Sequence, residues 1–284
     1  MKKGIYILPN LLTTGNLFCG VLSIIYTVMD GLKLQAYEGN TPPFGFSAWL
    51  ILLATVFDLL DGMVARLMRA TSRFGVEYDS LSDLVSFGMA PALLLYVAVL
   101  RYRQEWGIIV TVLFVIAGAL RLARYNSLNA TEERKHFMGM PIPAAAGLLA
   151  SYMLLSRWGG FWYGDKGIIF NKVIGWHEEN IYFFNKVFVP VFVLMISLLM
   201  VSTLEFPSLK VFLKQRLPFT VLVLFVFIVT LAVHQPEIVI FGLLSIYLLG
   251  SLAMNGYKWS YGNKVKPRAI HRQPIKPNHE EGTV

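Results

Sequence analysis

Asp58-Leu59-Leu60-Asp61-Gly62-Met63-Val64-Ala65-Arg66, then Gly75, Asp79 and Asp83, is the stretch on which the reading turns. Four carboxylates, two glycines and an arginine stand at fixed offsets between apolar segments. Acidic groups in such a setting are costly unless they have partners, which makes them the first candidates for function. Asp58 and Asp61 are three apart and Asp79 and Asp83 four apart, so on helices each pair shares one face. The connection from Leu67 to Val76 is short enough to make the two helices antiparallel neighbours. Gly75 is expected to supply the flexible backbone of that turn, and the two pairs then meet.

Working outward, the 284-residue chain is 56% hydrophobic and only 15% charged, with mean hydropathy +0.58. This composition excludes an ordinary soluble domain and predicts an all-α integral membrane protein. A formal charge of +8 would suggest nucleic acid as partner in a soluble protein. Here the basic residues cluster between apolar runs, as in loops facing a cytoplasmic leaflet, and no nucleic acid is expected. The lone cysteine, Cys19, excludes an internal disulfide and a cysteine-rich zinc site. Met1-Lys2-Lys3 resembles a basic leader, but the apolar run from Leu11 lacks a small-residue cleavage site, so no cleavable signal is expected.

Eight apolar segments approach the length of about 20 residues that a bilayer span requires. They are residues 11–29, 46–69, 79–100, 106–123, 141–155, 187–204, 217–233 and 238–257. With the N-terminus inside, 18 of the 25 Lys and Arg residues fall on the inner side. Both termini and the aspartates are therefore expected at the cytoplasmic face of the inner cell membrane. The aromatic connection 156–186 is expected on the outer surface and the segment 206–216 in the inner interface. Residues 258–284 read as a basic disordered tail.

Four converged carboxylates repel one another unless cations lie among them. Hard divalent ions with oxygen ligands, Mg²⁺ or Mn²⁺, are the natural partners, and four carboxylates suit two of them. Gly62 and Ala65 leave the helix face beside Asp61 bare for a nucleotide, and Arg66 offers a forked donor for phosphate oxygens. Asp83, deepest into its helix, is placed to deprotonate a nucleophile. A single acidic pair near an arginine is more often an interfacial salt bridge. The joint pattern favours a site.

Asp61-Gly62-x2-Ala65-Arg66-x8-Gly75-x3-Asp79-x3-Asp83, preceded by Asp58, resembles the full signature of the CDP-alcohol phosphotransferases, integral membrane enzymes that make phospholipids. The resemblance implies a six-helix core over residues 1–204. Two further helices, with an interfacial linker, follow over 205–257. It implies that Asp58, Asp61 and Asp79 hold two metal ions, and that Asp83 touches one of them and acts as base. It also implies that Gly62, Ala65, Arg66 and Gly75 shape the CDP site. Proteins resembling this family are commonly homodimers, although no residue here marks a dimer face.

Four further blocks resemble the membrane-embedded phosphatidylserine synthases of bacteria and archaea. They are Pro9-Asn10-x2-Thr13-x2-Asn16-x-Phe18-x-Gly20, Asp79 to Pro91, Gly118 to Asn126 and Phe137-x-Gly139-x-Pro141-x-Pro143. The implied substrates are CDP-diacylglycerol, drawn from the membrane lipids, and L-serine, with CMP released. Arg121 and Arg124, three apart, are candidates for the serine carboxylate, although both also suit topological anchoring. Asn10 and Thr13 either donate to phosphate oxygens of the nucleotide or cap the first helix. Gly88 and Pro91 are expected to bend the third helix. Two alternatives stay open: another acceptor (glycerol 3-phosphate, an inositol phosphate or choline), or a cation-coupled transporter. Transport would call for a midplane site with broken helices and repeats.

Overall fold

Long runs of Leu, Ile, Val and Phe satisfy their backbone polar groups within helices, the form a chain takes when no water is at hand. The computed structural model describes residues 7–33, 44–68, 72–128, 136–158, 178–207 and 229–262, and it is helical almost throughout. We number its helices α1 (Ile7–Lys33), α2 (Gly45–Leu67), α3 (Arg73–Ala98), α4 (Gln104–Leu128), α5 (Ile142–Trp158), α6 (Glu178–Val201) and α7 (Pro236–Gly262). Five of these, α1 to α4 and α7, are long and apolar enough to cross a membrane, and α5 and α6 carry shorter apolar stretches. The chain is a multi-pass membrane protein. Of the expected span 217–233, only residues 229–233 are described, and they are helical. The aromatic connection, the interfacial segment and the basic tail fall largely or wholly outside the described residues.

The connection between α2 and α3 is shorter than the sequence suggests, because α3 starts at Arg73 rather than near Asp79. Ser72 is its N-cap, in extended conformation, and its hydroxyl accepts the Gly75 N–H at 3.0 Å. The polar first turns of α3 hide this start from a hydropathy reading. Gly75 is accordingly helical and supplies no turn, contrary to the expectation above. A Cβ there would lie 3.1 Å from Ser72 Oγ and 3.3 Å from Asn10 Oδ1, so its role is to let α1 approach.

Helix α3 has three sections: α-helical from Arg73 to Asp83, π-helical from Leu84 to Met89, and α-helical again from Ala90. Within the middle section Ala90 N–H donates to the Val85 carbonyl, five residues back. Pro91 has no N–H to continue the ordinary ladder, and near it the helix takes this extra-residue turn directly after Asp83.

Helix α1 packs along α2 and against α3, α2 against α5, α4 against α6, and α5 against α7. The α1–α3 seam is polar. Thr14 Oγ1 and Tyr78 Oη lie 3.0 Å apart, Ser82 donates to the Thr13 carbonyl at 3.1 Å, and Ser86 donates to the Asn16 carbonyl at 3.0 Å. Gly20 allows this close approach, since a Cβ there would stand 2.3 Å from Ser86 Oγ and 2.7 Å from Ser86 Cα.

A two-stranded antiparallel ribbon, β1 (His136–Met138) with β2 (Glu205–Pro207), closes the same end of the bundle, with Phe137 opposite Phe206. Gly139, at φ 80°, turns the chain from β1 toward α5 and packs against the Met200 carbonyl. Helix α7 holds the ribbon. Asn255 accepts the Glu205 N–H at 3.0 Å and donates to its carbonyl at 2.8 Å, while Tyr247 donates to the Pro207 carbonyl at 3.3 Å.

Candidate active site

The antiparallel α2–α3 pair brings the carboxylates together as their spacing predicts. One oxygen each from Asp58, Asp61 and Asp79 can be chosen so that all three lie within 4.8 Å of one another. Asp61 is buried, while Asp58 and Asp79 are half-buried. Such a set of like charges suits a cation between them. Asp79 Oδ1 is moreover buried with no hydrogen-bond partner among the described residues, as a metal ligand lacking its ion would be. The donor set, three carboxylates with no sulfur or imidazole, fits a hard divalent cation, so the triad can hold one.

Around this triad the structure supplies partners that spacing alone did not reveal. Thr13 lies inside α1, not at its start, so it does not cap the helix. Its hydroxyl donates to Asp61 Oδ2 at 2.8 Å and lies 3.1 Å from the Pro9 carbonyl. Asp83, one turn beyond Asp79, is 8% exposed and accepts from Asn16 Nδ2 at 3.0 Å. It lies outside the tight triad but within electrostatic reach of Asp58, Asp79 and Asp61. Asn16 belongs to the Pro9–Gly20 block, whose pattern alone assigns it no role. Its partner is 67 residues away in sequence, and no local signal could have joined them.

Other candidates divide between the site and its scaffold. Ala65 and Gly62 are part-exposed on α2, and the nearest side-chain atom to a Cβ built on Gly62 would be Arg66 Nη1 at 3.5 Å. Arg66 itself is exposed and within electrostatic reach of Asp61. Asn10 sits beside Gly75, as described. The two arginines of α4 part ways. Arg121 is 9% exposed, near Asp83 and Asp58, and its Nε has no partner among the described residues. Arg124 instead donates to the Val201 carbonyl at 3.3 Å and contacts Met138 Sδ at 3.9 Å, tying α4 to the end of α6 and to β1. Of the two candidates, Arg121 thus lies near the aspartates and Arg124 at the end of α6.

Fold and site together define a polytopic membrane protein with a carboxylate cluster that can hold a metal ion. Comparison with known proteins agrees. The family model described as CDP-alcohol phosphatidyltransferase matches residues 6–178. The chain is 35% identical over 206 residues to the CDP-diacylglycerol–serine O-phosphatidyltransferase of Helicobacter pylori strain 26695, covering 72% of this chain and 74% of that protein. It is 34% identical over 205 residues to the archaetidylserine synthase of Methanothermobacter thermautotrophicus, covering 70% and 69%. Over a shorter 106 residues, 37% of this chain and 49% of the other, it is 48% identical to the CDP-diacylglycerol–serine O-phosphatidyltransferase of Methanocaldococcus jannaschii. The chain belongs to the CDP-alcohol phosphatidyltransferase family and is a membrane transferase of phospholipid metabolism.

Proposed function

We propose that the protein transfers the phosphatidyl group of CDP-diacylglycerol to the hydroxyl of L-serine, yielding phosphatidylserine and CMP. The observation that carries this reading is the Asp58–Asp61–Asp79 triad with Asp83 one helical turn away and the unpartnered donor of Arg121 beside it. Relatives named for serine transfer support the choice of acceptor.

Asp58, Asp61 and Asp79 would hold the divalent cations, two of Mg²⁺ or Mn²⁺ by resemblance to the family, with Asp83 against one of them. Bound there, such ions neutralise pyrophosphate charge. Gly62, Ala65, Arg66, Gly75, Asn10 and Thr13 form the nucleotide side. Thr13 acts through Asp61, and the bare face at Gly62 admits the ligand close to the backbone. Asp83, fixed by Asn16, takes the proton from the serine hydroxyl. The serine oxygen then bonds to the diacylglycerol-side phosphorus as the bond from that phosphorus to the CMP oxygen breaks, and CMP carries the electron pair away. Arg121 faces the serine carboxylate, while Arg124 anchors α4. A phosphorylated acceptor would call for more cations than Arg121 supplies, which favours serine. The distribution of basic residues supports a site at the cytoplasmic face of the inner membrane, with both termini on that side. By resemblance to the family the working form is a homodimer.

CMP release by the purified protein in detergent, given CDP-diacylglycerol and a panel of alcohols, tests this. Serine is expected to be the preferred acceptor. Release with glycerol 3-phosphate but not with serine would sink the assignment.

A further inference from the structure

Two buried polar atoms stand beside Asp83 without partners, and they are opposite in kind. On α1, Asn16 is fully buried, with Nδ2 donating to Asp83 Oδ1 at 3.0 Å and its own Oδ1 meeting no donor among the described residues. With Asp83 ionised, as a base must be, this amide orientation is the favourable one, because the reverse would set two oxygens against each other. On α4, buried Arg121 leaves its Nε–H without an acceptor among the described residues. Both helices pack against the π-helical section that follows Asp83, and Arg121 lies within electrostatic reach of that carboxylate.

An unmatched buried acceptor and an unmatched buried donor each carry a desolvation cost that a bound ligand relieves. An α-amino acid carries the complementary pair, an ammonium donor and a carboxylate acceptor, on the carbon next to its hydroxymethyl group. We propose that Asn16 is a specificity residue whose Oδ1 receives the ammonium of the acceptor while Arg121 Nε–H receives its carboxylate. The pair of groups near Asp83 thereby complements a zwitterion. This rests on the phosphatidyl-transfer reading above and adds how the acceptor is told from others. Glycerol 3-phosphate and inositol phosphates have no ammonium, would leave Asn16 Oδ1 unmatched, and are rejected for that reason. Held by its other end on Asp83, the Asn16 amide also fixes the distance between the ammonium and the hydroxyl proton.

The test uses the full-length protein in detergent with CDP-diacylglycerol and three acceptors: L-serine, 3-hydroxypropanoate without the ammonium, and ethanolamine without the carboxylate. On the unaltered protein each analogue should have a kcat/KM lower than that of serine by about tenfold or more. In Asn16→Ala the serine to 3-hydroxypropanoate ratio should fall toward one while the serine to ethanolamine ratio is kept, and Arg121→Gln should do the reverse. Ratios within one variant cancel any general loss from a displaced Asp83, an effect that a merely structural role would give equally with all three acceptors. An unmoved 3-hydroxypropanoate ratio in Asn16→Ala overturns the proposal, as does an unaltered protein that uses serine and 3-hydroxypropanoate equally well. If Asn16→Ala does not fold, Asn16→Ser carries the same expectation and the unaltered protein still decides. Absence of any serine-dependent CMP release sinks the underlying reading as well, whereas serine turnover with an unmoved ratio sinks only this one.

Discussion

Gly20→Ala adds one methyl group on α1, outside the triad itself, yet it should cost the enzyme most of its turnover. The new Cβ would stand 2.7 Å from Ser86 Cα, and ordinary contact begins at 3.4 Å, so α1 and α3 must separate by about 0.7 Å. Backbone cannot rotate away as a flexible side chain would. Asn16 lies one turn before Gly20 on the same face, and its bond to Asp83, at 3.0 Å, together with the Ser86 bond to its carbonyl, takes up that separation. Overpacking of this kind costs about 1–3 kcal/mol of stability, and displacement of a reacting group by about 1 Å lowers kcat on the order of a hundredfold. The assay is serine-dependent CMP release alongside thermal unfolding. Gly242→Ala on α7 is the control, since a Cβ there meets nothing within 4 Å. Gly20→Ala with the parent's kcat, or Gly242→Ala with a comparable loss, would refute the seam as what positions Asp83.

Thr13→Val keeps shape but removes the donor to Asp61 Oδ2, so the divalent ion concentration giving half-maximal turnover should rise about tenfold or more, with maximal turnover recovered in excess metal. Asn255→Leu removes two of the bonds that hold β2 to α7 and should lower the unfolding free energy by about 1–3 kcal/mol, read as a drop in unfolding temperature. Ser72→Ala removes the α3 N-cap and should cost about 1 kcal/mol, read in the same way.

The aspartates were legible because their information is local. Offsets of three and four put each pair on one helix face, and a short connection between two apolar runs makes those helices neighbours. Hydropathy likewise marked the helices, since a bilayer demands apolar length. What stayed hidden is held by contacts between distant residues. Thr13 and Asp61 are 48 apart and Asn16 and Asp83 are 67 apart, and nothing in α1 alone announces either bond. Arg121 and Arg124 look equivalent in sequence, and only the end of α6 arriving at Arg124 separates them. The ribbon of β1 and β2 is too short to carry a strand pattern, with three residues in each strand. The π-helical turn after Asp83 was half legible, as Pro91 marks the place but not the form.

The most direct test of the central claim is incorporation of labelled L-serine into lipid by the purified protein with CDP-diacylglycerol and Mg²⁺ or Mn²⁺, repeated with excess chelator and with Asp79→Asn. The account predicts labelled phosphatidylserine in amounts matching CMP, abolished by the chelator and lost in the variant. Undiminished labelling in excess chelator, or in Asp79→Asn, would contradict it.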